Sequence, residues 1–281
     1  MEHLPLPQEI EALKRYSTPT LSNAIELFNL RPRNAGFMSG DIRCIFPDFG
    51  VMVGYASTAA LMAEHPETGG RQTSGYEYWK SVLQVPAPRV AVIQDLDQPT
   101  AIGSFWGEVN GNIHRALGCV GTVTNGGVRD LDEVHAMGFH FFASQVIVSH
   151  AYVHLVDFGI PVKIGGVVVH PGDLIHADKH GVLMVPKEVV PELPEAVRKI
   201  EAKELAPHGI RVNGVAPGVI QTPFHDRFTS AEQMKRMVEL IPLKYAGTPE
   251  ETATVIAFLV SPEARYLTGE TIEVNGGLLM D

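Results

Sequence analysis

The chain has 281 residues, 45% of them hydrophobic, which is enough for a buried core in one large domain or two modest ones. A formal net charge of −10 with no basic block argues against nucleic acid as a partner, and the two cysteines, Cys44 and Cys119, exclude a disulfide framework or zinc-finger spacing. No apolar run approaches the about 20 residues that span a bilayer, and the opening MEHLPLPQEIEALKRY lacks the regions of a signal peptide, so no membrane partner and a cytoplasmic location are expected.

In chain order, QEIEALKRY (8–16) and TLSNAIELFN (20–29) space their apolar residues as helices do, with Pro19 near the start of the second. VMVGYASTAAL (51–61) and RVAVIQDLD (89–97) read as buried strands. Between them EHPETGGRQTSG (64–75), polar and rich in Gly and Pro, reads as a surface loop. A helix is predicted over residues 107–117. GCVGTVTNGG (118–127) reads as a strand running into a Gly-Gly turn, and VRDLDEVHAMG (128–138) as a short helix. FHFFASQVIV (139–148), IPVKIGGVVV (160–169), DLIHA (173–177) and GVLMVP (181–186) are further predicted strands. PEAVRKIEAKEL (194–205) is a helix with charges on one face, and the composition shifts near Leu205. The expected division is a mixed α/β domain over residues 1–190, a connecting helix over 191–205 and a C-terminal segment over 206–281.

The stretch WGEVNGNIHRALGCVGTVTNGGVRDLDEV (106–134) carries the chemistry. Its strand ends in Gly126-Gly127, where backbone can approach a ligand closely. Arg129 and Asp130 follow, and Glu133 stands one turn beyond Asp130, so both carboxylates would share a helix face. The planar fork of arginine suits a carboxylate, and two hard carboxylates suit Mg²⁺ or Mn²⁺. The helix start at Gly107 and Glu108 would turn free N–H groups to an anion. Together these residues read as a pocket for a small carboxylate with a divalent metal. The plainer alternative, a helix cap beside a surface ion pair at Arg129-Asp130, stays open on these residues alone.

Two H-x-x-x-H pairs also stand in the chain, His150/His154 and His176/His180. A helix could place such a pair on zinc, but DLIHADKHG reads as strand and turn. Each is expected to be satisfied or solvent-facing, with His150 or His154 at the pocket rim as a proton-transfer candidate. The one Y-x-x-x-K, Tyr76 to Lys80, follows no nucleotide fold and reads as a chance spacing.

From about Glu204 the text ELAPHGIRVNGVAPGVIQTP and IPLKYAGTPEETATVIAFLVSPEARYLTGETIEVNGG resembles the C-terminal part of the short-chain dehydrogenase/reductase family. That resemblance implies an incomplete Rossmann-type segment, in which Pro217, Gly218, Ile220 and Thr222 match positions lining the nicotinamide side of the cofactor. The upstream machinery is missing. No GxxxGxG occurs to cradle a pyrophosphate, and no Tyr-x-x-x-Lys stands at the family's place, roughly thirty residues before IRVN. No dinucleotide site is therefore expected, and the segment is expected to add surface or an oligomer contact.

Residues from about 15 to 205 resemble the RraA-like family, which includes the regulator of ribonuclease activity A and class II 4-hydroxy-4-methyl-2-oxoglutarate aldolases. Gly107, Glu108, Gly118, Gly121, Gly126, Arg129, Asp130 and Glu133 match the family pattern. IPVKIGGVVVHPGDLIHADKHGVLMVP matches its later signature, with Gly165, Gly166, Pro171, Gly172, Asp173, Asp178 and Gly181 in register. The chain departs at Asn23, where Asp is frequent, and at VNGN after Glu108. The resemblance implies a layered α/β domain related to swivelling phosphohistidine domains, assembled as homotrimers or homohexamers. It implies a carbon–carbon lyase acting on a short 2-oxo acid, by retro-aldol cleavage or oxaloacetate decarboxylation, with Mg²⁺ or Mn²⁺. Arg129 and Asp130 would be catalytic. Gly107, Glu108, Val109, Asn110 and Arg129 would bind substrate, and Asp130 and Glu133 would hold the metal. The alternatives are a non-catalytic regulator of ribonuclease activity and an NAD(P)-dependent oxidoreductase.

Overall fold

A computed structural model describes residues 5–67 and 75–279, the side chain of residue 226 apart. The chain divides into two units, Met1–Pro194 and Glu195–Asp281. The first unit runs, in chain order, through helices α1 (Pro7–Leu13) and α2 (Thr18–Glu26), strands β1 (Arg43–Cys44) and β2 (Met52–Met62), helix α3 (Gly75–Gln84), strand β3 (Arg89–Asp95) and helix α4 (Glu108–Ala116). It continues through β4 (Cys119–Thr124), β5 (Gly127–Val128), helix α5 (Leu131–Ala136), β6 (His140–Ala143), β7 (Gln145–Val146), β8 (His154–Phe158), β9 (Val162–Ile164), β10 (Val167–Val169), β11 (Leu174–Asp178) and β12 (Gly181–Val185).

Eight of these strands form one sheet in the order β1-β6-β4-β3-β2-β11-β12, with β8 also on β2. Its centre is parallel, β2 with β3, β3 with β4 and β4 with β6. Crossover helices join these strands, as parallel pairing requires. Strand β2 is long enough to take two further antiparallel partners. β11 pairs along its start, from Leu174↔Tyr55 to Ala177↔Met52, and β8 along its end, from Ala59↔Phe158 to Met62↔His154. Side chains alternate across the sheet. Val90, Val92 and Phe142 join one core with Met52, Ile164 and Ile175, whereas Ala91, Ile93 and Phe141 join the other with Tyr78, Trp106 and Val134. The second core lies under α3, which contributes Tyr78 and Val82, and α5, which contributes Val134.

Several expected elements differ in extent. Helix α1 ends at Leu13, and α2 begins earlier, at Thr18, because the Ser17 side chain accepts the Thr20 N–H at 3.3 Å and caps it. IPVKIGGVVV is a hairpin and not one strand: Gly165 (φ 53°) and Gly166 (φ 83°) turn the chain, and Val167 pairs with Ile164. FHFFASQVIV breaks after Ala143, where the Ser144 hydroxyl turns back to the carbonyls of Asn125 and Gly126 at 2.7 and 2.9 Å. Helix α3 was not among the predicted elements. Of the predicted loop, residues 64–67 are neither helix nor strand and 68–74 lie outside the described residues.

The second unit is entered through helix α6 (Leu193–Leu205) and holds β13 (Gly214–Pro217), α7 (Pro223–Phe228), α8 (Ala231–Leu240), α9 (Pro249–Val260) and β14 (Thr271–Val274). Strands β13 and β14 form a two-stranded parallel sheet. Reciprocal caps start α8 at Ser230 with Gln233 and α9 at Thr248 with Glu251. A small core gathers Val219, Ile241 and Ala246. The helix expected to be a connector is tied into this unit, since Thr271 Oγ1 donates to Glu195 Oε2 at 2.7 Å.

Candidate active site

Parallel sheets with crossover connections present their loops together at the carboxyl ends of the strands. The residues after β4 and those before α4 meet there. The carbonyl of Trp106 accepts the Arg129 N–H at 3.0 Å, and Trp106 bridges Val128 in parallel. The buried Ser104 hydroxyl lies 2.6 Å from the Trp106 carbonyl and 2.8 Å from that of Gly127, clamping both segments. Behind them Asn125 is paired to β3: its Oδ1 accepts the Asp95 N–H and its Nδ2 donates to the Asp95 carbonyl, both at 2.8 Å.

Asp130 stands just before α5, with φ 53° and ψ 50° in the left-handed region. Its carbonyl accepts the Val134 N–H at 3.0 Å and so starts α5. The twist turns its carboxylate away from α5, where it caps nothing, and onto α4. Asp130 Oδ2 accepts the Glu108 N–H at 3.0 Å. This corrects the expectation that Asp130 and Glu133 share a helix face, because a left-handed residue ahead of the helix does not continue its periodicity. Gly107 is needed for the contact, since a Cβ there would lie 2.3 Å from Asp130 Oδ2. The Arg129 Nε lies 3.7 Å from Asp130 Oδ1, and Arg129 Nη1 reaches toward the Val148 carbonyl at 3.5 Å. Both side chains of the pair are 34% exposed, so their mutual attraction is screened and contributes little to stability.

The structure therefore brings Gly107, Glu108, Arg129 and Asp130 together. The remaining first-turn N–H groups of α4, those of Val109 and Asn110, have no place in the intrahelical ladder, whose first bond is Gly111 N–H to Gly107 at 2.9 Å. The Val109 side chain is exposed, and Asn110 Nδ2 is spent on the Phe105 carbonyl at 2.6 Å, so either residue offers a ligand its backbone. The Glu133 side chain lies exposed on α5 and makes no hydrogen bond or ion pair among the described residues. Both glycines of the Gly-Gly turn are needed for packing: a Cβ at Gly126 would meet Asp95 at 3.1 Å and one at Gly127 would meet Ile147 at 2.5 Å.

Under α4, the Tyr78 hydroxyl and His114 Nε2 lie 2.7 Å apart, and His114 Nδ1 lies 2.7 Å from the Asn110 carbonyl. Burial drives the His114 imidazole down to about 4. The other histidines behave as separate groups. His176 is buried between the Thr18 hydroxyl, 3.0 Å away, and the Leu13 carbonyl, 3.2 Å away, while His180 pairs with Asp178 at 3.0 Å. His150 and His154 are engaged with the nearby carbonyls of Ala151 and Tyr152. Among the described residues no three His, Cys, Asp or Glu side chains converge as a metal cage. No helix among them is long and apolar enough to cross a membrane.

Sequence reasoning missed Ser104 and Asn125, which set the two loops. Their only signal was a polar residue at a strand end beside the glycines.

Comparison with known proteins separates the two parts. The family model described as Aldolase/RraA matches residues 18–184, and that described as enoyl-(acyl carrier protein) reductase matches residues 192–279. The crystal structure of Streptomyces coelicolor RraAS2, described as an unusual member of the RNase ES inhibitor RraA protein family, superposes with TM-score 0.57 at 24% identity, covering 73% of this chain and all (100%) of that one. A structure described as novel cellulases from gut-associated microbes superposes with TM-score 0.60 at 20% identity, over 73% of this chain and 90% of that one. At these identities the likeness is one of fold. Curated relatives match the C-terminal part. The 3-oxoacyl-(acyl-carrier-protein) reductase of Rickettsia felis is 48% identical over 77 residues, 27% of this chain and 32% of that protein. Human (3R)-3-hydroxyacyl-CoA dehydrogenase is 44% identical over 79 residues, 28% of this chain and 30% of that protein. The chain thus spans about a third of the length of these two relatives. The second unit is a short-chain-dehydrogenase-type segment, and the chain, through its first unit, belongs to the RraA-like family.

Proposed function

We propose that the first unit is a divalent-metal-dependent carbon–carbon lyase that releases pyruvate from a short 2-oxo acid. The observation that supports this most is the meeting of Arg129, Asp130 and the amino end of α4 at one half-exposed place. The donor chemistry fits Mg²⁺ or Mn²⁺. Asp130 offers hard oxygens, and these ions bind through one or two carboxylates while keeping water and taking substrate oxygens. Asp130 would hold the ion, which when bound supplies Lewis-acid polarisation of a 2-oxo group.

The chain's own residues do the rest. The first-turn N–H groups of α4 and the Arg129 guanidinium bind the substrate carboxylate. As the C3–C4 bond breaks, its electron pair moves toward the 2-oxo oxygen. Arg129 opposes the negative charge growing there. In a retro-aldol the departing carbon becomes a carbonyl and its hydroxyl proton leaves; in a β-decarboxylation CO₂ leaves. Protonation at C3 then gives pyruvate. Assembly as a trimer or hexamer belongs to the same proposal and is read by sedimentation.

The test is pyruvate release by the purified chain from a panel including oxaloacetate and 4-hydroxy-4-methyl-2-oxoglutarate, with Mg²⁺ and with chelator. Metal-dependent release is expected from at least one. Folded protein that releases none with metal present would leave the regulator reading in its place.

A further inference from the structure

A cavity of about 290 Å³ opens at the other end of the parallel strands. It is lined at the starts of β4 and β6 by Cys119 and His140, at the end of α4 by Arg115, and otherwise by Lys14, Met52 and Phe139 among others. Helix α4 separates it from the Arg129 site by most of its nine residues, about 12 Å at 1.5 Å per residue.

Three features set this cavity apart from a packing defect. Two cationic side chains line it, and no carboxylate does. Lys14 is balanced by Glu11 at 2.7 Å, but the Arg115 side chain makes no ion pair or hydrogen bond among the described residues. A basic residue in a last helical turn often serves the terminal carbonyls. Here that duty falls to Arg89, whose Nη1 donates to the Leu117 carbonyl at 2.9 Å, so the Arg115 fork is free. Finally, His140 lines the cavity, and its Nδ1 is buried behind the cavity wall without a hydrogen-bond partner among the described residues. A buried polar atom left unpaired is unfavourable, so a ring rotation that brings this nitrogen to an anion in the cavity is favoured.

We infer that this cavity is a second binding site, for a small dianion such as inorganic phosphate or a short dicarboxylate, held by Arg115 and Lys14 with His140 at its floor. A neutral imidazole can donate from one ring nitrogen, and an arginine fork and an ammonium supply the charge. The volume lies at the small end for ligand pockets, which suits an ion of few heavy atoms and no nucleotide. The inference is independent of the chemistry proposed for Arg129.

The test is calorimetric titration of the full chain with inorganic phosphate and, separately, with succinate. Saturable binding of one or both is expected, the tighter one naming the class. Arg115→Met removes an exposed side chain and should leave the fold intact while weakening binding at least about tenfold. Arg129→Ala should leave the affinity unchanged. In NMR spectra the His140 ring signals should shift on titration with the same anion. The inference is overturned by no saturable binding up to about 10 mM, by binding that survives Arg115→Met, or by binding lost in Arg129→Ala. His140 signals that stay fixed while the anion binds would also overturn it.

Discussion

Asp130 illustrates how a single residue can serve two helices. Its left-handed backbone starts α5 through a carbonyl while its side chain caps α4. Aspartate and asparagine tolerate that conformation better than other residues with a Cβ. Gly107→Ala would drive a methyl into Asp130 Oδ2. It should part the carboxylate from the Glu108 N–H, reduce activity, and cost about 1–3 kcal/mol, read from the urea midpoint. An unchanged midpoint and rate would contradict this geometry. Two buried rings make a second test. Burial lowers His114 and His140 from 6.5 to about 4. Both should be neutral at pH 5 in the folded chain, whereas the unfolded chain charges them. The unfolded state therefore binds more protons between pH 6.5 and about 4, and these rings reduce stability as pH falls through that window. A ring found by NMR to titrate near 6.5 would contradict it. Gly107, Glu108, Arg129 and Asp130 were legible in sequence because each lies next to a turn or helix start. Ser104 was not, since its partner at Gly127 is 23 residues away and a lone serine does not announce one.

At the scale of elements, strand composition was legible and strand ends were not. RVAVIQD and CVGTVT carry continuous apolar or small-residue runs buried on both faces, and they form strands. Helix α3 is not legible in the sequence because its buried stripe is only Tyr78 and Val82, while Trp79 and Leu83 beside them are exposed and blur the period. The hairpin of β9 and β10 has the apolar composition of one strand, and only Gly165-Gly166 marks its turn. Gly165→Ala is a direct test of that turn. It combines a φ of +53° with a Cβ that would sit 2.6 Å from Met38 Cβ. Thermal unfolding should show a loss of roughly 1–3 kcal/mol. Gly40→Ala, with nothing within 4 Å of the new Cβ, should change little. Equal effects would argue against the turn.

At the scale of the whole molecule, the family resemblance of both halves was legible because each carries multi-part motifs. The packing of the second unit was not, because its sheet holds only two strands and depends on helices that no alternation reveals. That unit also leaves Phe228, Leu240, Val260 and Tyr266 exposed. Every candidate site residue lies before it, so truncation after Lys203 should preserve pyruvate release even where solubility suffers. A truncated chain that stays folded yet inactive would show that the second unit shares in the chemistry. The sequence offers no Gly-rich pyrophosphate turn, and the full chain should bind neither NADH nor NADPH. Micromolar binding by nicotinamide fluorescence would reverse that reading.

The central claim assigns charge stabilisation to Arg129 and the metal to Asp130. The most direct measurement is the rate of pyruvate release against Mg²⁺ concentration for the wild type, Arg129→Lys and Asp130→Asn. Lysine keeps the charge without the planar fork, so Arg129→Lys should lose about 10²–10³-fold in kcat at every metal concentration. Asp130→Asn keeps the left-handed backbone and an acceptor for the Glu108 N–H, so its defect should shrink as Mg²⁺ rises. Wild-type rates in both variants, or defects that respond alike to metal, would contradict the account.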